Sequence, residues 1–329
     1  MIIDTHNHFI PEILINEFKK ENNLFKVRVI RKGDQEFIEH EEGFRSLLCK
    51  ELYDVDAKIN DLKKMGIDKA VLSPSPAVFF YWKNSEIARE ASRICNDWVY
   101  SFTKKYPEHF IPMGTLPMIN IEDSLSELER VISDYEMQMI EMGPLINEES
   151  LDEVKFSPIF ELAEKNNILI FLHPLHPYYV GIEPLFKKYN LKNIIGNPLD
   201  TTLGLAHLIY GGVFEKYPKL KVLAAHGGGN FPYQLGRFNH GFKVREEAKV
   251  KIKLPPDNYL DNIFFDSITH WDESLRFLIK SLGAQRVVIG TDYPYDMADY
   301  NIVEKLKSLD ISMEEKEKIY SKNIINFLK

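Results

Sequence analysis

The chain has 329 residues, 44% hydrophobic and 27% charged, a composition that excludes disordered, collagen-like and coiled-coil chains and leaves ample material for a core. Lys and Arg number 41 against 49 Asp and Glu, a formal charge of −8 with no long basic run, which argues against a nucleic-acid or anionic-membrane surface.

From the N-terminus onward, eight short and nearly continuously apolar runs read as parallel strands buried on both faces: 2–8, 69–76, 109–117, 138–144, 168–174, 221–229, 263–268 and 287–294. Amphipathic segments alternate with them. Residues 54–65 predict a helix capped by Asp54, striped by Val55, Ile59 and Leu62, and stopped at Gly66. Residues 85–104 predict a second, capped by Ser85, with Ala88, Ala91, Cys95, Trp98 and Phe102 on one face. Ser157-Pro158 opens a helix over 157–165, Asp272 caps one that ends at Gly283, and 313–328 reads as a closing helix. Strand–helix pairs repeated in this way predict an α/β fold, a (β/α)8 TIM barrel, with 1–329 as one domain. A doubly wound open sheet is the alternative, although no Gly-x-Gly-x-x-Gly loop follows any strand.

Two segments exceed what a barrel requires. Residues 9–50 form an insertion after the first strand, with mixed charge and little periodicity. Residues 175–200 form a longer loop after the fifth strand, rich in Pro, Tyr and Asn. Both leave from strand C-termini, so both are expected over the barrel mouth, where such barrels carry out chemistry. Cys49 and Cys95 are too few for a disulfide framework, and the first residues lack the basic start and long apolar stretch of a signal peptide. With no apolar run long enough to span a bilayer, a reducing, cytoplasmic setting is expected.

The polar residues fall at the ends of the strands. Asp4, His6 and His8 alternate at the end of the first run, so period-two geometry points all three to one side. His173 ends the fifth run, His226 the sixth and Asp292 the eighth. A lone histidine after an apolar strand is an ordinary core residue. Imidazoles and a carboxylate recurring at one end of several strands are instead a set that a closed barrel would bring around a divalent cation.

On these residues and on longer stretches the sequence resembles the metal-dependent amidohydrolase superfamily. Within it, the match is to the decarboxylase branch typified by 2-amino-3-carboxymuconate-6-semialdehyde decarboxylase. The stretches are DTHNHFIP at 4–11, PAVFFYW at 76–82, YPEHFIPMGTLPM at 106–118, FLHP at 171–174, GGVFEKYPKLKVLAAHGGGNFPYQLGRFNHGF at 211–242 and GTDYPY at 290–295. The resemblance implies that His6, His8, His173 and Asp292 hold one zinc ion per chain, with another divalent metal as the alternative. It implies that His226, acting beside Asp292, is the catalytic acid/base. The implied activity is non-oxidative decarboxylation of a small unsaturated or aromatic carboxylic acid, 2-amino-3-carboxymuconate-6-semialdehyde or a close analogue, through metal-activated water. A lactone or amide hydrolase, or a hydratase, on the same scaffold is the alternative.

A carboxylate substrate calls for cations beyond the metal, and guanidinium forks suit that task. Arg45 and Arg237 match family positions that hold substrate carboxylates. In the family the second comes from the neighbouring subunit, which implies a homodimer. Trp82, from the aromatic run 79–82, and His270, after the seventh strand, are further substrate-binding candidates. Asp4 is expected to orient a ligand histidine rather than bind the metal. Gly227, Gly228 and Gly229 read as room for close approach to His226, as a tight turn, or as both. Three positions depart from the typifying enzyme. Leu175 stands where it has tryptophan, Tyr295 where it has phenylalanine, and Glu141 where it has a neutral amide. An anionic group at the last position bridges two metals in binuclear members, so Glu141 leaves the metal count open, with an outward salt bridge as its alternative role.

Overall fold

A computed structural model describes residues 1–175 and 186–328. Its strands are, in chain order, β1 (Ile3–Phe9), β2 (Val27–Lys32), β3 (Gln35–His40), β4 (Arg45–Leu48), β5 (Lys69–Pro74), β6 (Phe110–Pro112), β7 (Gly114–Thr115), β8 (Met139–Met142), β9 (Leu145–Ile146), β10 (Glu149–Ser150), β11 (Leu169–Leu172), β12 (Lys221–Ala224), β13 (Ile263–Asp266) and β14 (Val287–Val288). Every predicted strand run overlaps one of these, β1 reaching one residue further to Phe9 and β6 and β7 being a single run interrupted at Met113. Parallel ladders join β1–β5–β6 and β7–β8–β11–β12–β13–β14. Two seams complete the ring. Met113, which joins β6 to β7, donates its N–H to Leu72 O of β5 (3.0 Å), while Thr5 N donates to Ile289 O and His8 N to Tyr293 O (both 2.8 Å) between β1 and the chain after β14. Helices follow the strands, giving the (β/α)8 arrangement.

Period two sorts the residues of the ring into layers. Ile3, Val71, Met113, Met139, Leu169, Phe171, Leu223 and Val288 pack with Ile324 and Phe327 of the terminal helix in one apolar cluster. Two residues further along the same strands come Ser73, Glu141, His173 and, after Phe264, Asp266, all buried. One end of the interior is thus an apolar plug and the other a polar rim.

Helix ends follow the predicted chemistry with small displacements. Asp54 caps Val55–Met65 by accepting from Ala57 N, and Gly66 ends it in a left-handed conformation. Asn84, one residue before the predicted Ser85, caps Ser85–Lys105 by accepting from Ile87 N, since asparagine is an equally good cap. Asp272 lies inside its helix behind Trp271, so it faces the helix dipole rather than capping it. The closing segment is helical in three pieces, Met313–Glu317, a widened turn Lys318–Lys322, and Asn323–Phe327.

The insertion is more regular than its sequence suggests. β2, β3 and β4 form an antiparallel sheet, with Lys32 paired to Gln35 across a two-residue Gly33-Asp34 turn in which Gly33 has φ +60°. Charge disguises the alternation: Val27 and Ile38 are buried while Arg28, Arg31 and Lys32 are exposed. The aromatic run after β5 fastens this sheet to the barrel, with Phe80 against Phe18 and Phe25, and Trp82 against His40 and Phe44 at 5.0–5.4 Å between ring centroids. Of the predicted 175–200 loop, 176–185 lie outside the described residues; from Leu191 the chain is already helical, and Pro198 fits the first turn of Asn197–Tyr210. Among the described residues no helix is long and apolar enough to cross a membrane.

Asn96, fully buried on Ser85–Lys105, clamps the β7 segment. Its amide donates to Thr115 O (2.9 Å) and Glu127 Oε1 (2.6 Å), and it accepts from Thr115 N (2.8 Å). Asn96→Ala leaves these buried groups without that partner and should cost about 2–4 kcal/mol, read as a lower urea midpoint with metal affinity unchanged.

Candidate metal centre

The polar rim gathers four donors from three places in the sequence. His6 and His8 come from β1, His173 from just past β11 and Asp292 from the loop after β14; one ligand atom of each lies within 4.8 Å of all the others. The nearest are His6 Nε2 and His8 Nε2 at 3.1 Å, with Asp292 Oδ1 at 3.3 Å and 3.2 Å from them. Four donors set tetrahedrally about 2.0–2.1 Å from one centre lie about 3.3–3.4 Å apart, and five or six donors lie slightly closer. Neither His173 Nε2 nor Asp292 Oδ1 has a hydrogen-bond partner although both are buried. Buried polar atoms without partners are costly unless something else satisfies them, and these converge on one point. The residues therefore fit a divalent cation.

Each imidazole is tied down at Nδ1, which turns its other nitrogen toward that point. His6 Nδ1 bonds Asp266 Oδ2 at 2.7 Å, His8 Nδ1 lies 3.2 Å from the Ser73 hydroxyl, and His173 Nδ1 bonds Pro174 O at 2.8 Å. Lys58, buried behind β1, donates to His8 O (2.6 Å) and Asn7 Oδ1 (3.1 Å), and burial pushes its ammonium down to about 7. The first strand carries one extra residue between Asp4 and Asn7 relative to β5, so strict alternation does not run from Asp4 to His6. Asp4 instead accepts from His6 N and Thr291 N and from the Thr291 hydroxyl, pinning the backbone that carries His6 and Asp292. The carboxylate on the His6 ring is Asp266, which the sequence reading passed over.

Charge in the cluster is unequally held. Burial opposes an imidazolium at His6, but Asp292 and Asp266 outweigh it and hold His6 up to about 10. Burial pushes His8 down to about 4, helped by the charge on His6, and pushes His173 well down. Burial works against the Asp292 carboxylate too, yet His6, His226 and His8 keep it well below the usual range. Glu141 is fully buried, its Oε1 3.9 Å from His173 Nδ1, and burial pushes its carboxyl well up. It faces inward, not into an outward salt bridge.

His226 stands beside the four, with Nε2 3.6 Å from Asp292 Oδ2. It and Asp292 bound two adjoining cavities, about 520 Å³ and 350 Å³, that share Asn193, Asn197 and Met297. The larger is walled by Tyr233, Trp271 and Phe277, and the smaller by Arg45, Ser46 and Tyr295. His226, His270 and Asp292 all have φ between +55° and +62°, a strained conformation for non-glycine residues that clusters at working sites. The glycines after His226 serve packing as well as access. A Cβ on Gly229 would lie 2.0 Å from Pro198 O, while Gly227 lines the larger cavity.

The amidohydrolase family profile matches residues 3–329. The chain belongs to this family. It is 34% identical to a 2-amino-3-carboxymuconate-6-semialdehyde decarboxylase of Dictyostelium discoideum over 84% of this chain and 77% of that one. It superposes on 5-carboxyvanillate decarboxylase from Sphingomonas paucimobilis with a TM-score of 0.84 at 22% identity, covering 100% of this chain and 98% of the other. It also superposes on a dihydroxybenzoic acid decarboxylase of Polaromonas sp. JS666, solved with bound manganese and the inhibitor 2-nitroresorcinol, with a TM-score of 0.79 at 20% identity over 99% and 96% of the two chains.

Around this amidohydrolase centre the structure places the other predicted residues unequally. Arg45 reaches the smaller cavity from β4, held by Glu39, which also pairs with Arg28 across the sheet. His270 borders the larger cavity. Trp82 borders neither, because it is spent on anchoring the insertion. Arg237 is exposed on the helix Phe231–Val244 and lines neither cavity of its own chain. Tyr295 packs its ring 5.2 Å from His8 and shares a 2.5 Å hydrogen bond with the Ser75 hydroxyl.

A cation entering below about pH 10 displaces the proton held on His6. Affinity should therefore rise with pH, about tenfold per unit for one displaced proton. His6→Ala should bind more weakly and with a shallower slope. Chelator competition between pH 6 and pH 8 measures both.

Proposed function

We propose that this chain is a metal-dependent, non-oxidative decarboxylase of a small unsaturated or aromatic carboxylic acid. Its leading substrate is 2-amino-3-carboxymuconate-6-semialdehyde or a close analogue. The observation that carries the reading is that His173 and Asp292 of the four-donor group, His226 and Arg45 line two cavities that share His226 and Asp292. The Dictyostelium relative's activity supports it. Zinc, held by His6, His8, His173 and Asp292, is the favoured ion, since three imidazoles and a carboxylate at short separations are donors it takes readily. Manganese, as in the Polaromonas relative, is the competing choice.

When bound, such a cation makes water near it more acidic and draws electron density from an adjacent substrate oxygen. The chain's own residues do the rest. Asp292 and His226 lie within reach of one small molecule, so His226 can take a proton from water at the cation site and return one to the carbon that loses its carboxylate. In the net reaction one proton replaces one carboxylate and CO2 leaves, so neither oxidant nor organic cofactor is required. Arg45 holds a substrate carboxylate, with Glu39 fixing the direction of its guanidinium.

Arg237 enters through a second copy of the chain. It lines neither cavity of its own chain, and around the larger one Tyr233 and Trp271 are 79% and 66% exposed, an apolar rim that a twofold partner would cover. Each site of the homodimer then receives Arg237 from across the interface. A cytoplasmic setting accords with the two free cysteines.

Incubation with the substrate should release CO2 in step with product, without oxygen uptake. A product heavier by one water and no CO2 would instead mean a hydratase or hydrolase. His226→Ala should lower kcat by about 10²–10⁴-fold with one metal per chain retained; normal turnover in that variant removes the acid/base assignment. Arg237→Ala and His226→Ala homodimers should each be nearly inactive. Mixing them at equal amounts restores one complete site per mixed dimer, about a quarter of wild-type activity. No recovery in verified mixed dimers means that Arg237 is not shared.

A further inference from the structure

We propose that Asp266 is a positioning residue that sets both the metal ligand His6 and the acid/base His226 from one carboxylate, so that cation affinity and turnover depend on the same group. The His226 half of this assignment rests on the functional reading above; the His6 half does not.

Asp266 ends β13 and is fully buried. Oδ2 takes the His6 Nδ1 contact at 2.7 Å and accepts from His226 N at 2.9 Å. Oδ1 accepts from Gly227 N at 2.7 Å and Ile268 N at 3.0 Å. A carboxylate has about four acceptor positions, and here all are engaged by the protein. The first pair joins the two functional histidines through one oxygen. The second secures the turn in which His226 is held at φ +55°, a conformation that a histidine does not keep without support.

A neighbouring glycine shows how closely this group is fitted. A Cβ on Gly290 would lie 2.8 Å from Asp266 Cβ and 2.9 Å from His6 Cβ, so any larger residue there would push against both members of the pair. With a cation bound, the Asp266 carboxylate favours the one remaining His6 proton on Nδ1, and Nε2 faces the cation site. Asparagine cannot replace it despite equal size. Its amide has one oxygen and one NH2, and the NH2 would face N–H donors whichever way it is turned. On one side it opposes His6 and His226 N; on the other it opposes Gly227 N and Ile268 N.

The test is Asp266→Asn, with Asp266→Glu as the variant that restores charge. Chelator competition should show metal affinity about 10–100-fold below wild type in Asp266→Asn. At saturating metal, kcat should stay at least tenfold low while KM changes little, and Asp266→Glu should recover part of both losses. A purely structural residue would lower the melting temperature and leave affinity and metal-saturated kcat alone; that result overturns the assignment. Wild-type kcat recovered by added metal overturns the His226 half. If Asp266→Asn does not fold, the wild-type protein still decides. In the zinc-loaded protein with ¹⁵N-labelled histidine, the His6 ring, identified by its loss in His6→Gln, should carry its proton on Nδ1 with a strongly downfield shift. A proton on Nε2 overturns the proposal. Absence of wild-type turnover on any carboxylate counts against the functional reading, whereas the affinity and NMR results speak to Asp266 without a substrate.

Discussion

Lone pairs of three imidazoles and a carboxylate crowd together in a space with almost no access to water. At separations near 3 Å such groups repel one another unless positive charge lies between them. In the protein alone, His6 supplies that charge by staying protonated; a divalent cation supplies it better, because all four groups can turn toward it. The donors lie far apart in sequence, and they meet only when the last strand returns to the first. The hydrogen bonds between β1 and the chain after β14 therefore do two jobs: they close the ring and they bring Asp292 to His6 and His8. Binding of the ion and closure of the barrel are linked, since an ion that binds only the assembled set stabilises the assembled fold.

Much of this was legible in the sequence. Continuous apolar runs of strand length, each followed by a helix signal, specify buried parallel strands, and polar residues at the ends of those runs specify the rim. What escaped did so for physical reasons. The extra residue in β1 shifts the phase between Asp4 and His6, and alternation alone carries no mark of a bulge. Asp266 sits in the run Ile-Phe-Phe-Asp-Ser-Ile with no motif around it; its one signal was being a carboxylate at a strand end, as Asp292 is. The Gly33-Asp34 turn was a recognisable hairpin signal, obscured by charged residues on the exposed face of the small sheet. Trp82 lines a small separate cavity with Leu175 and also packs on the insertion, since an aromatic run shows how much area it buries, not against what. Its partner is the insertion, whose course the local sequence does not state.

The layered interior explains why the rim tolerates such costly residues. Val71 precedes Ser73, Met139 precedes Glu141 and Phe171 precedes His173 by one full period, so an apolar plug and a polar rim are written into the same strands. Glu141 shows the consequence most clearly. Turning it outward would mean turning Met139 outward as well, because a strand cannot rotate one residue alone. The apolar neighbour fixes the acid inside, and burial then raises its pKa far above that of an exposed glutamate. Stability resides in the plug, while the rim carries groups that weaken the fold unless a cation and substrate engage them.

The two cavities divide the approach to the centre by chemistry. The smaller is bounded by the insertion, whose antiparallel sheet presents Arg45 on an ion ladder with Glu39 and Arg28. The larger is bounded by aromatic side chains of the later helices, Tyr233 and Phe277 among them. His226 and Asp292 stand where the two meet. A small acid lying across that junction would put an anionic group toward Arg45 and its apolar body toward Tyr233 and Phe277, with its middle at the cation site. That orientation follows from charge and apolar area alone. A mostly apolar molecule would have no reason to reach into the arginine side, and a highly charged one would find little to hold it against the aromatic wall. The insertion and the later helices thus offer a charged side and an apolar side, with His226 and Asp292 between them.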